Sequence, residues 1–127
     1  ILNFGHTLGH AVEALSGFRL LHGQAVAVGM ILEAGLSEGM GLFPAEDARC
    51  LERLLDALGL PVKLKLKGVS ALRILEHTHL DKKARSGRAR YALPRRIGEM
   101  ARDESGRYGL EVEDSLVLEA LRSRGVR

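Results

Sequence analysis

Asn3-Phe4-Gly5-His6-Thr7-Leu8-Gly9-His10-Ala11-Val12-Glu13-Ala14-Leu15, joined a few residues later by Leu21-His22-Gly23, constrains the architecture of this chain more than any other stretch. Leu8, Ala11, Val12 and Leu15 recur at spacings of three and four, which predicts an amphipathic helix over residues 3–15, entered through polar and glycine residues and ended by Gly17. His6 and His10 stand four apart, so they project from one face of that helix and can address a common site. Spacing alone describes ordinary surface or core histidines equally well. Gly5 and Gly9 sharpen the reading, because glycine inside a helix costs about 1 kcal/mol relative to alanine. Two of them at this spacing point to close approach by a ligand, a cofactor or another helix. A helix-packing seam of small residues is the alternative for the glycines. A zinc peptidase is excluded, since its HExxH pattern needs glutamate directly after the first histidine and Thr7 stands there.

Outward from this block, the residues from Gln24 to Met40 predict a longer helix that is apolar on most of its circumference, as a central element is. Pro44 restarts the chain, and Ala48, Leu51, Leu54, Leu55 and Leu58 trace a third, amphipathic helix to Gly59. Residues 62–67 alternate apolar and lysine, the pattern of a half-buried strand with its lysines in water. Ser70 is placed to cap a helix through His77. Residues 88–93 alternate again and predict a strand that ends at Pro94, with a weaker strand from Tyr108 to Val112. Asp114 or Ser115 caps a final helix through Leu121. The predicted fold is mainly α, several helices with a small β-hairpin or short strands.

At 127 residues with 46% hydrophobic and 28% charged side chains, the chain can form one domain with its own core and no disulfide. The single Cys50 lies in a leucine-rich helical pattern and is expected to be a buried thiol in a reducing compartment. A dispersed net charge of +3 with no Trp argues against a nucleic-acid partner. No apolar run approaches the roughly 18–20 residues that cross a bilayer, so no membrane partner is expected and the cytoplasm is the default location. The first residues, without an initiator Met, read as the inside of a motif, so the chain is expected to begin mid-protein.

Three blocks, Asn3 to Ala14, Leu20 to Met30 and Leu80 to Glu99, resemble the 3-dehydroquinate synthases in content, order and spacing, from about Ile1 to Gly98. The resemblance implies that His6 and His22 are metal ligands, for zinc or cobalt. It implies that His10 contacts the substrate phosphate region and takes part in proton transfer, and that Asn3 binds substrate hydroxyl and phosphate groups. One lysine of the Asp81-Lys82-Lys83 block reaches the phosphate; Lys82 and Lys83 both fit. The implied enzyme is a phosphate-eliminating lyase of the shikimate pathway. It uses NAD and a divalent metal to cyclise the sugar-acid phosphate 3-deoxy-D-arabino-heptulosonate 7-phosphate to 3-dehydroquinate, as a homodimer.

The family's third metal ligand, a glutamate, and its NAD-binding domain lie upstream of these blocks. Residues 1–127 are therefore expected to be a single carboxy-terminal metal- and substrate-binding domain, inactive alone, because two imidazoles leave a catalytic zinc short of protein ligands. Gln24 stands where the family usually has glutamate; if that glutamate orients His22, Gln24 accepts the same hydrogen bond more weakly.

Two rivals stand beside this reading: another sugar-phosphate cyclase of the 2-deoxy-scyllo-inosose synthase type, and a non-catalytic helical docking domain. A cyclase domain brings His6 and His22 to within about 4 Å of each other, which a docking domain has no reason to do. His77 and His79, sharing a face if extended, are read as structural. Arg85, Arg88, Arg90, Arg95 and Arg96 are read as a solvated basic surface, with anion attraction as the alternative.

Overall fold

The computed structural model describes residues 3–63, 68–84 and 89–127, the side chains of 81–84 excepted. The elements are α1 (His6–Leu15), α2 (His22–Gly39), α3 (Ala45–Ala57), α4 (Ala71–Ala84), β1 (Pro94–Arg96), β2 (Glu99–Met100) and α5 (Asp114–Ser123). The chain is mainly helical and, among the described residues, has one two-stranded antiparallel hairpin.

Helix α2 is the centre because two of its faces are apolar. Val28, Leu32 and Leu36, four apart, pack with Leu8 and Val12 of α1, Ile74 of α4, Leu93, and Val117 and Leu121 of α5. One step round the helix, Ala27, Ile31 and Ala34 pack with Phe43 and with Ala48, Leu51 and Leu55 of α3. Burying one such leucine or isoleucine stabilises by roughly 1.5–3 kcal/mol, so both faces hold α2 in place. Its near-continuous apolar surface is thus explained by partners on two sides. No helix among the described residues is long and apolar enough to cross a membrane.

Several local expectations change. Helix α1 begins at His6 rather than Asn3, because Gly5 takes a left-handed conformation with φ of 83° and turns the chain into the helix. Ser70 caps α4 as expected, its Oγ accepting the Arg73 N–H at 3.1 Å. The helix does not stop at His77 but continues to Ala84, so His77 and His79 are helical and share no face. His79 Nε2 lies 3.0 Å from the Asp114 carboxylate, joining α4 to the start of α5. Because that carboxylate faces His79, α5 starts after Glu113 with no side-chain cap.

The strand expected over residues 88–93 is not a regular one. Tyr91, Ala92 and Leu93 are all buried, so the described part lacks a solvent face, and only Tyr91 bridges to Leu110. The hairpin begins instead at Pro94, a first-residue position where a missing N–H is tolerated. Cys50 is exposed, not buried: α3 turns Ala48, Leu51 and Leu55 inward, and a residue adjacent to Leu51 points about 100° away. Arg90 is paired with Asp103 and Glu111, and Arg96 with Glu99 at 2.6 Å, so neither is a free surface cation. Arg85, Arg88 and residues 64–67 of the lysine-alternating segment lie outside the described residues.

Candidate metal centre

Helices α1 and α2 cross where neither has side chains in the way. A Cβ on Gly29 would lie 1.9 Å from the Gly5 carbonyl oxygen and 2.7 Å from the Gly9 nitrogen. A Cβ on Gly9 would stand 3.0 Å from the Ala25 carbonyl oxygen. The costly glycines of α1 are therefore explained by the backbone of α2. The helix-packing seam also shapes the candidate site, since close crossing sets the start of α2 beside the histidine face of α1.

Glu33, on α2 and fully buried, secures that crossing. Its two carboxyl oxygens accept the N–H groups of Gly5 and Leu8, both at 3.2 Å, either side of His6. These are donors at a helix start, where the helix itself offers no acceptor. Burial raises the carboxyl from its ordinary 4.5 to about 8; the two N–H bonds oppose this but do not overcome it. Thr7 adds a bond to the chain beyond α4, its hydroxyl donating to the Arg90 carbonyl at 2.9 Å.

The result is a cluster of three imidazoles. His6, His10 and His22 offer donor atoms all within 4.8 Å of one another. Their ring centroids are 5.2 Å apart for His6–His10, 5.6 Å for His6–His22 and 5.9 Å for His10–His22. His6 and His10 are half-buried and His22 is exposed. His6 Nδ1 is 3.3 Å from the Phe4 carbonyl and His22 Nδ1 is 3.2 Å from Glu13 Oε2. With Nδ1–H donated to those oxygens, Nε2 would be the nitrogen each ring offers to a cation.

The donor set fits a borderline divalent cation. Around tetrahedral zinc, donors at about 2.0–2.1 Å lie about 3.4 Å apart, a contraction that side-chain rotation of solvent-accessible histidines can supply.

Of the other residues singled out in the sequence, Asn3 is exposed in the turn before α1, its carbonyl accepting the His6 N–H at 3.0 Å. Lys82 and Lys83 lie on the last turn of α4, which packs on α1; their side chains are outside the described residues. Gln24 does not orient His22. Its Oε1 accepts the Leu21 N–H at 3.0 Å and caps α2, and the carboxylate beside His22 is Glu13. Sequence reading missed Glu13 and Glu33. For Glu33 a signal existed: it is the one acid between His22 and Ser37 in an otherwise apolar run.

The chain as a whole is similar to known proteins. Residues 1–84 match the family described as 3-dehydroquinate synthase C-terminal. A 3-dehydroquinate synthase of Xylella fastidiosa is 50% identical over 104 residues, covering 77% of this chain and 28% of that protein. One from Nostoc punctiforme is 43% identical over 99 residues, covering 77% and 27%. The chain thus spans under a third of these relatives' length.

Among solved structures, a 2-deoxy-scyllo-inosose synthase complexed with carbaglucose-6-phosphate, NAD+ and Co2+ superposes with a TM-score of 0.82 at 28% identity, covering 96% of this chain and 34% of that one. A 2-epi-5-epi-valiolone synthase from Streptomyces hygroscopicus with NAD+ and Zn2+ bound gives a TM-score of 0.80 at 25% identity, covering 98% and 32%. Sequence and structure agree that this chain belongs to the 3-dehydroquinate synthase family, as its carboxy-terminal domain.

Proposed function

We propose that this chain supplies metal ligands and part of the phosphate pocket of a 3-dehydroquinate synthase, a lyase that turns 3-deoxy-D-arabino-heptulosonate 7-phosphate into 3-dehydroquinate. The observation that carries the reading is the convergence of the His6, His10 and His22 donor atoms within 4.8 Å, on a chain of this family. When bound, a divalent zinc or cobalt ion supplies polarisation of a substrate hydroxyl, and NAD supplies transient hydride acceptance. His6 and His22 hold the ion through Nε2. His10, with its ring 5.2 Å from His6, moves a proton at the phosphate end of the substrate. Asn3, with Lys82 or Lys83, binds the phosphate that leaves.

The third protein ligand, a glutamate, and the nucleotide site belong to the part of the relatives that this chain does not span. Residues 1–127 are accordingly one domain, inactive alone, of a cytoplasmic homodimer. The related cyclase reaction on an inosose precursor is the second reading, supported by the TM-score of 0.82. Identity of 50% to a dehydroquinate synthase against 28% to the inosose synthase favours the first.

In the intact synthase, His22→Ala is expected to weaken zinc retention by more than about 100-fold, measured as metal per protomer after dialysis. Unchanged stoichiometry removes His22 from the ligand set. Phosphate release from the heptulosonate phosphate, assayed with NAD and metal, tests the substrate; turnover only of a hexose phosphate favours the inosose reading.

A further inference from the structure

We propose that Glu13 is the positioning residue for His22, holding its ring so that Nε2 faces the cation site. This rests on the metal-site reading above and assigns a role to a residue outside the ligand set. His6, His10 and Glu13 follow one another at spacings of four and three, so they form a single stripe on α1. The first two point imidazoles into the cluster. The third reaches across to α2, where Glu13 Oε2 lies 3.2 Å from His22 Nδ1.

His22 needs such a partner more than His6 does. His22 opens α2 immediately after the α1–α2 connection, and 58% of its side chain is exposed, so packing alone does not choose its rotamer. Glu13 is only 18% exposed and sits on the rigid helix that carries the other two rings. A carboxylate on Nδ1–H fixes the tautomer, makes Nε2 the better ligand and sets the plane of the ring. Gln24, the nearest other candidate in sequence, is occupied with the Leu21 N–H.

The test uses the intact synthase, with two variants and two readouts. In the metal-free enzyme, two-bond nitrogen–proton spectra report the His22 tautomer; wild type and Glu13→Gln are expected to show Nδ1–H, and Glu13→Ala a mixture shifted toward Nε2–H. Cobalt titrations followed by visible absorption are expected to show Glu13→Ala binding about 10- to 100-fold more weakly, with Glu13→Gln in between, because its amide oxygen accepts the same hydrogen bond without the charge.

Equal affinity for wild type and Glu13→Ala overturns the role of Glu13 while leaving the metal site standing. A tautomer unchanged in Glu13→Ala, with Gln as damaging as Ala, makes Glu13 a ligand instead and also overturns it. Wild-type synthase that takes up no cobalt overturns the metal-site reading itself.

Discussion

Gly29→Ala is expected to destabilise the chain by about 3 kcal/mol or more and to weaken metal binding with it. The added methyl would lie 1.9 Å from the Gly5 carbonyl oxygen, 2.7 Å from the Gly9 nitrogen and 2.8 Å from the Gly9 Cα. All three are backbone atoms, so no side-chain rotation relieves the contact and α1 must move off α2. Gly5 cannot follow easily, because its φ of 83° suits glycine and its own methyl position is filled by Met30 and the Val26 carbonyl. Displacing α1 carries His6 and His10 away from His22, which is why stability and affinity fall together.

The same substitution at Gly35, on the same helix, is the control. Its nearest neighbour is Arg124 Nε at 3.6 Å, an ordinary contact, so Gly35→Ala is expected to gain up to about 1 kcal/mol from helix propensity. Urea midpoints for the two variants check the pair. Equal stability for both removes the tight crossing from the explanation of the site.

Glu33 predicts a pH dependence with a definite sign. Its folded pKa, about 8, lies above the ordinary 4.5, so the native state holds the proton more tightly than the unfolded chain does. The stability this proton contributes is complete below about 4.5 and is lost as pH rises to about 8. Unfolding free energy is therefore expected to fall by an amount on the order of a few kcal/mol across that window.

Glu33→Gln removes the slope. It also places an amide NH2 against one of the two backbone donors, the Gly5 or the Leu8 N–H, at a cost of about 1–3 kcal/mol near pH 5. The gap between variant and wild type should be widest there and close as pH passes 8. Asp103, whose carboxyl is held low chiefly by its hydrogen bond from Ser105, loses its contribution only as pH falls below the ordinary 3.8, outside this window. A constant stability gap between wild type and Glu33→Gln at every pH would show that the fold does not shift the Glu33 proton affinity.

Much of the fold was legible because its signals are local. The spacing of Leu8 with Val12, and of Val28, Leu32 and Leu36, marks helices whatever they pack against. The apolar surface of α2 announced a central helix, and Ser70 announced the start of α4. What failed depended on contacts between distant residues. Residues 88–93 alternate in sequence like a strand, but Tyr91, Ala92 and Leu93 are buried together, and Asp114 turns from capping α5 to His79 on α4. Cys50 was misplaced by one position on its helix, enough to turn it into solvent.

The candidate site divides in the same way. The residue types, their order and the four-residue step from His6 to His10 are written in the chain, and they sufficed to name the family. That His22 comes to those two rings, that Glu13 rather than Gln24 stands behind it, and that a buried Glu33 ties down the start of α1 were decided only by the crossing of α1 and α2. Helical periodicity acts over four residues and can be read from them. The approach of two helices depends on where neither has a Cβ, and that is a property of both surfaces at once.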